Sequence, residues 1–205
     1  MRWFIIFLIV PLLGPEAQAQ EDTLITEEKV RGIMEYLSSD QLKGRGNFTP
    51  ELHLAARYIA EHFENNALAR YPGEASYLIP FNKASLRNNR KDPIRNQAPG
   101  QVLYNVVGVL EGKRVPEEVI IFAAHFDHLG SKKRSKKDGI YNGANDNASG
   151  TAAVMMLAQY FAKESNNERT IIFCAFAGEE LGLLGSKDLV KKINTGTNYG
   201  AGGRR

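Results

Sequence analysis

Three short clusters between Val119 and Glu180 bring imidazole and carboxylate groups to places where a strand should end or a helix begin. The first is His125-Phe126-Asp127-His128-Leu129-Gly130, after the apolar run from Val119 to Ala124. The second, from Asn142 to Gly150, carries Asp146 just before a long apolar helix, and the third is Gly178-Glu179-Glu180, after the apolar run from Ile171 to Ala177. In open α/β sheets ligands bind outside the carboxyl ends of the strands. Imidazole nitrogen and carboxylate oxygen are ready ligands of zinc, so the constellation points to a hydrolytic zinc site.

Each group has a role by its type and spacing. His125 supplies an imidazole, and Asp127, two residues on, is placed to accept the other imidazole N–H and fix its tautomer. Asp146, at the mouth of the helix, is placed to bridge two ions. Glu179 and Glu180 are adjacent and point in different directions, so one can bind metal while the other faces the substrate as a general base. A His-x-Asp or a Glu-Glu pair is common by itself; the weight lies in their combination at predicted strand ends. Other chemistries fit less well. Ser149 and Ser186 lack a Gly-x-Ser-x-Gly elbow, Cys174 sits inside an apolar strand as a small buried hydrophobe, and the loop from Asp138 to Asn147 lacks calcium-loop spacing.

The elements that must position these groups are legible around them. Thr26 caps a helix with Val30, Ile33, Met34 and Leu37 on its apolar face. Thr49-Pro50 starts a second helix with Leu52, Ala56, Ile59 and Phe63 as its buried stripe, and His53 and His62 lie on it away from the clusters. Tyr77 to Phe81 reads as a short strand that Pro80 confines to an edge. Gln101 to Leu110 reads as a strand paired in a hairpin or meander with the next, and Val119 to Ala124, apolar on both faces, as a central strand. Ala148 to Ala162 is a buried helix, and with Ile171 to Ala177 it forms a strand–helix–strand unit that implies a parallel pair. Leu181 to Lys192 is a helix interrupted early by Gly182 and Gly185. Asn82 to Gly100 reads as a loop.

The 205 residues suggest one domain. Arg2, the apolar run from Trp3 to Leu13 and Ala17-Gln18-Ala19 have the pattern of a signal peptide, residues 1–19, too short to span a membrane stably. The expectation is an exported protein, periplasmic or extracellular. Residues 20–193 are then a partial catalytic domain and 194–205, without apolar periodicity, a disordered tail. The net charge of +3 is local: the run from Lys132 to Lys137 supplies five positives and leaves the remainder net negative. Export argues against a nucleic-acid partner for that run, which reads as a solvated loop. Oligomeric state is not legible.

These motifs resemble those of the co-catalytic di-zinc aminopeptidases of clan MH, of the aminopeptidase Y and aminopeptidase S type. The runs that carry the likeness are Asn105-Val106-Val107-Gly108, the stretch from Ala124 to Gly130, that from Asn142 to Gly150, and that from Ala177 to Ser186. The likeness spans Leu37 to Lys191. It implies a three-layer α/β/α fold with a mixed, largely parallel central sheet, zinc exopeptidase-like and incomplete at its C-terminal side. It also implies two zinc ions: His125 binds one, Asp146 bridges, Glu180 binds the other, Glu179 is the general base and Asp127 orients His125. A cis peptide follows the bridging aspartate. Peptides or proteins are the implied substrates, cut at the N-terminal bond. Two further ligands of the family, an aspartate and a histidine, fall further along, and no histidine follows His128. Alternatives are a non-catalytic remnant and a single-zinc, glutaminyl cyclase-like enzyme with one ion on His125, Asp146 and Glu180.

Overall fold

The structure, a computed structural model, describes residues 24–81, 102–132 and 138–196. The expected signal peptide, the loop from Asn82 to Gly100, the basic residues 133–137 and the tail from 197 onward lie outside the described residues.

Helix α1 (Glu27–Leu37) starts where Thr26 accepts a hydrogen bond from the Lys29 N–H at 3.4 Å, with Glu27 and Glu28 in its first turn. Helix α2 (Pro50–Asn65) starts the same way, Thr49 accepting from the Leu52 N–H at 3.3 Å with Pro50 at the first turn. Five strands follow in chain order: β1 (Ala69–Arg70), β2 (Leu78–Phe81), β3 (Leu103–Leu110), β4 (Val115–His125) and, after helix α3 (Ser149–Glu164), β5 (Arg169–Phe176). Helix α4 (Leu184–Gly196) closes the described chain. It runs three residues into the stretch expected to be a tail.

The sheet has the order β1-β3-β5-β4, with β2 also paired to β3. Three of its pairings are antiparallel and only β4 with β5 is parallel. The sheet is therefore mixed and mostly antiparallel, not largely parallel as expected. The reason is connectivity: α3 is the crossover helix that lets β5 return parallel to β4, and β1 and β2 are short strands laid against β3 alone. The expected β3–β4 pairing does not form, because β5 takes the place between them. Nor is β4 central. Ile120 and Ile121 remain 42% and 47% exposed, while β3 and β5 are buried along nearly their whole length. Apolar residues on both faces announce a central strand, and β4 has that pattern at an edge among the described residues.

Two apolar layers hold the sheet. On one face α1, α2 and α3 enclose Phe63, Val106, Met155, Ile171, Phe173 and Ala175. Phe122 stacks between Phe161 and Phe173, at 6.0 and 5.9 Å. On the other face Ile172 and Cys174 meet Val107, Val109 and Leu189 of α4. Alternate β5 residues thus serve opposite layers, as the two-residue strand period dictates, and three layers result. The Cys174 thiol is fully buried, and desolvation pushes its pKa far up. It is a packing residue.

Candidate metal centre

The loop after β4 carries the first cluster, and the chain holds it from three sides. The His125 carbonyl accepts the Thr151 hydroxyl of α3 at 2.9 Å, and the Phe126 N–H donates to the Phe176 carbonyl of β5 at 2.9 Å. The third hold is Arg45, fully buried in the turn between α1 and α2. Its guanidinium donates to the Phe126 carbonyl at 2.7 Å, the Asn142 carbonyl at 2.7 Å, the Gly143 carbonyl at 2.9 Å and the Leu37 carbonyl. One side chain therefore ties the loop of His125 and His128 to the turn that carries Asp146. Burial lowers the guanidinium to about 10, and the carboxylates of Asp127 and Asp146 partly offset this.

That turn, Ala144–Ala148, is irregular, with Asp146 and Asn147 outside helical geometry and the Asp146–Asn147 peptide cis. The cis bond agrees with the resemblance. Gly143 enters the turn at φ 62°, and a Cβ there would lie 2.6 Å from the His128 ring and 2.7 Å from the Arg45 guanidinium. Only glycine lets the turn come this close to the imidazole.

The third cluster leaves β5 in a tight turn. Asp127, wholly buried, accepts the Glu179 N–H at 3.1 Å, the Glu180 N–H at 3.3 Å and the Asn47 side-chain amide at 2.6 Å. Its carboxylate thus fixes the backbone of both glutamates. Asn105 of β3, also buried, donates to the Gly185 carbonyl at 2.9 Å and accepts the Ala177 N–H at 3.4 Å, pinning both ends of the same turn. Gly182 and Leu183 then take positive φ, so α4 begins at Leu184 and not at Leu181 as expected.

The five expected residues are brought together as follows. The His125 Nε2 is 3.2 Å from one Asp146 oxygen. Its Nδ1 is 3.1 Å from the Asp127 backbone carbonyl and 3.7 Å from the Asp127 carboxylate. The ring is therefore oriented by the carbonyl of Asp127, and the carboxylate serves mainly to hold the two glutamate N–H groups. That carboxylate nonetheless raises the His125 pKa above its ordinary value against the effect of burial, and Glu179 adds a smaller push. The second Asp146 oxygen faces His128 at 3.7 Å, and Glu180 is 2.9 Å from the same His128 Nδ1. Among the described residues, the three donors whose ligand atoms all lie within 4.8 Å of one another are His128, Asp146 and Glu180. The single-ion alternative gave the place of His128 to His125. His53 and His62 stay on α2, packed against Tyr104 and bonded to the Met155 carbonyl respectively.

Sequence reasoning passed over His128, Arg45 and Asn47. His128 lay inside a cluster already singled out. The other two sit in a polar loop and touch the site across about eighty residues of chain, where no local pattern marks them. The donor set, imidazoles beside carboxylates at close range and partly shielded from solvent, fits a zinc-type cation.

The profile of Peptidase family M28 matches residues 105–202. A probable zinc metalloprotease of Pyricularia oryzae is 41% identical over 139 residues, 64% of this chain and 24% of that protein. The chain spans about a quarter of the length of the curated relatives it matches. Among solved structures, a zinc aminopeptidase of Bacillus subtilis superposes at TM-score 0.57 and 17% identity, covering 84% of this chain and 66% of that one. A glutaminyl cyclase of Fimbriiglobus ruber superposes at TM-score 0.61 and 18% identity, covering 84% and 57%. These two share the fold. The segment that matches the profile of Peptidase family M28 contains all three clusters.

Proposed function

We propose that this chain carries metal-binding residues of a zinc-dependent aminopeptidase that hydrolyses the N-terminal peptide bond of peptide substrates. The observation that carries the reading is the double hold of Asp127 on the backbone of Glu179 and Glu180, which sets the two acids beside the His125–Asp146 pair. His125, Asp146 and Glu180 would hold zinc, with Asp146 between the two imidazoles. Zinc, when bound, polarises the scissile carbonyl and acidifies a water molecule. Glu179 accepts the proton of the attacking water and returns it to the leaving amine. His125 is held in register by the Asp127 carbonyl, and Arg45 keeps the two ligand-bearing loops at fixed separation. Export, which places the reaction in the periplasm or the extracellular space, belongs to the same proposal and rests on the sequence from Arg2 to Ala19.

The test is release of chromophore from amino-acid anilides by the zinc-loaded chain. Turnover should fall by about 10²–10⁴-fold in Glu179→Gln with zinc content unchanged. Equal turnover in the variant removes Glu179 from the role of base. Cyclisation of an N-terminal glutaminyl peptide without anilide hydrolysis would replace the peptidase reading with the cyclase one.

A further inference from the structure

We infer that His128 is itself a metal ligand, and that His128, Asp146 and Glu180 form a three-donor site that binds one zinc-type cation more tightly than the His125–Asp146 pair does. This rests on the zinc reading above and assigns it a donor that the motif resemblance leaves without a role.

The spacing is that of a coordination shell. Zinc–nitrogen and zinc–oxygen bonds of 2.0–2.2 Å in a tetrahedron set neighbouring donors about 3.3 Å apart. The His128 Nδ1 lies 2.9 Å from Glu180 Oε1 and 3.7 Å from Asp146 Oδ2, on either side of that value. A histidine serving a single ion pair needs one carboxylate. Here one ring nitrogen, on a side chain only 11% exposed, faces two carboxylates that come from different loops. With a neutral imidazole the two acids leave the cluster negative, which is the charge a divalent cation neutralises.

The ring is also built into place. The His128 N–H donates to the Arg45 carbonyl at 3.1 Å, residues Gly46 and His128 form a parallel bridge, and Gly143 leaves room for the ring edge where a Cβ would collide. Glu180 is held through its N–H by Asp127. Asp146, its side chain 60% exposed, is the donor of the three most open to solvent. Three protein ligands with one open position is the composition of a catalytic zinc site, and His125 with Asp146 offers only two.

The experiment is calorimetric titration of the full chain with zinc, followed by optical spectroscopy with cobalt(II). One tight ion per chain is expected. His128→Gln should weaken it by more than about 100-fold, beyond the 10–100-fold typical of a group that only hydrogen-bonds to a ligand. In His128→Cys, cobalt(II) should produce a near-ultraviolet thiolate-to-metal charge-transfer band. The wild type should lack that band, because its one cysteine, Cys174, is buried in the sheet. That band reports contact with the ion whether or not the glutamine variant folds as well as the parent. A tight ion retained in His128→Gln, with no new band in His128→Cys, overturns the assignment and leaves the zinc reading standing. A wild-type chain that takes up neither zinc nor cobalt overturns both.

Discussion

At the scale of single residues the site depends on side chains that touch no substrate. Arg45 satisfies four backbone carbonyls inside the molecule. An unsatisfied buried polar group costs about 1–3 kcal/mol, so Arg45→Met, which keeps the volume and removes the donors, should destabilise the fold by at least about 3 kcal/mol. Urea unfolding of parent and variant measures this, and a loss under about 1 kcal/mol would mean that water replaces the guanidinium. The positions of His125, Glu179 and Glu180 were legible in the sequence because a short polar cluster after an apolar run marks a strand end, and that of Asp146 because it lies just before a long apolar helix. Arg45 and Asn47 were not. Their partners are Phe126 and Asp127, about eighty residues away, and such pairings exist only once the chain has folded. Asp127 meets the His125 ring with its carbonyl at 3.1 Å and its carboxylate at 3.7 Å, and the sequence spacing marked only the second of these contacts.

At the scale of elements, caps and apolar stripes located α1, α2 and α3 well, because local hydrogen bonds and helical periodicity decide them. Strand neighbours were less legible. Nothing in the apolar run from Val119 to Ala124 distinguishes an edge from a centre, and β3, expected beside β4, is separated from it by β5. The packing of α2 on α3 makes a prediction of its own. His62 lies at the contact, its Nε2 2.9 Å from the Met155 carbonyl, and burial lowers its pKa below the ordinary 6.5. A histidine with a depressed folded-state pKa binds protons more readily when unfolded, so its contribution is complete above the unfolded value and is lost as pH falls below it. Stability of the wild type relative to His62→Gln should therefore decline from about pH 7 to pH 5. Thermal unfolding of both proteins across that range checks the sign, and a difference that grows on acidification would contradict it.

At the scale of the whole molecule, three layers place the carboxyl ends of β4 and β5 beside the start of α3, and the donors gather there. Among the described residues β4 is an edge, with Ile120 and Ile121 exposed. Apolar edge strands template association, so Ile121→Lys should lower concentration-dependent aggregation, read by light scattering, without lowering the melting temperature. Unchanged aggregation would mean that another surface drives it. Among the described residues Asp146 is the carboxylate paired with both imidazoles, and metal binding depends on it. Zinc content after equilibration and gel filtration, measured by mass spectrometry on the wild type and Asp146→Ala, tests it most directly. The account predicts stoichiometric zinc in the wild type and essentially none in the variant; a zinc-free wild type, or equal zinc in the two proteins, would contradict it.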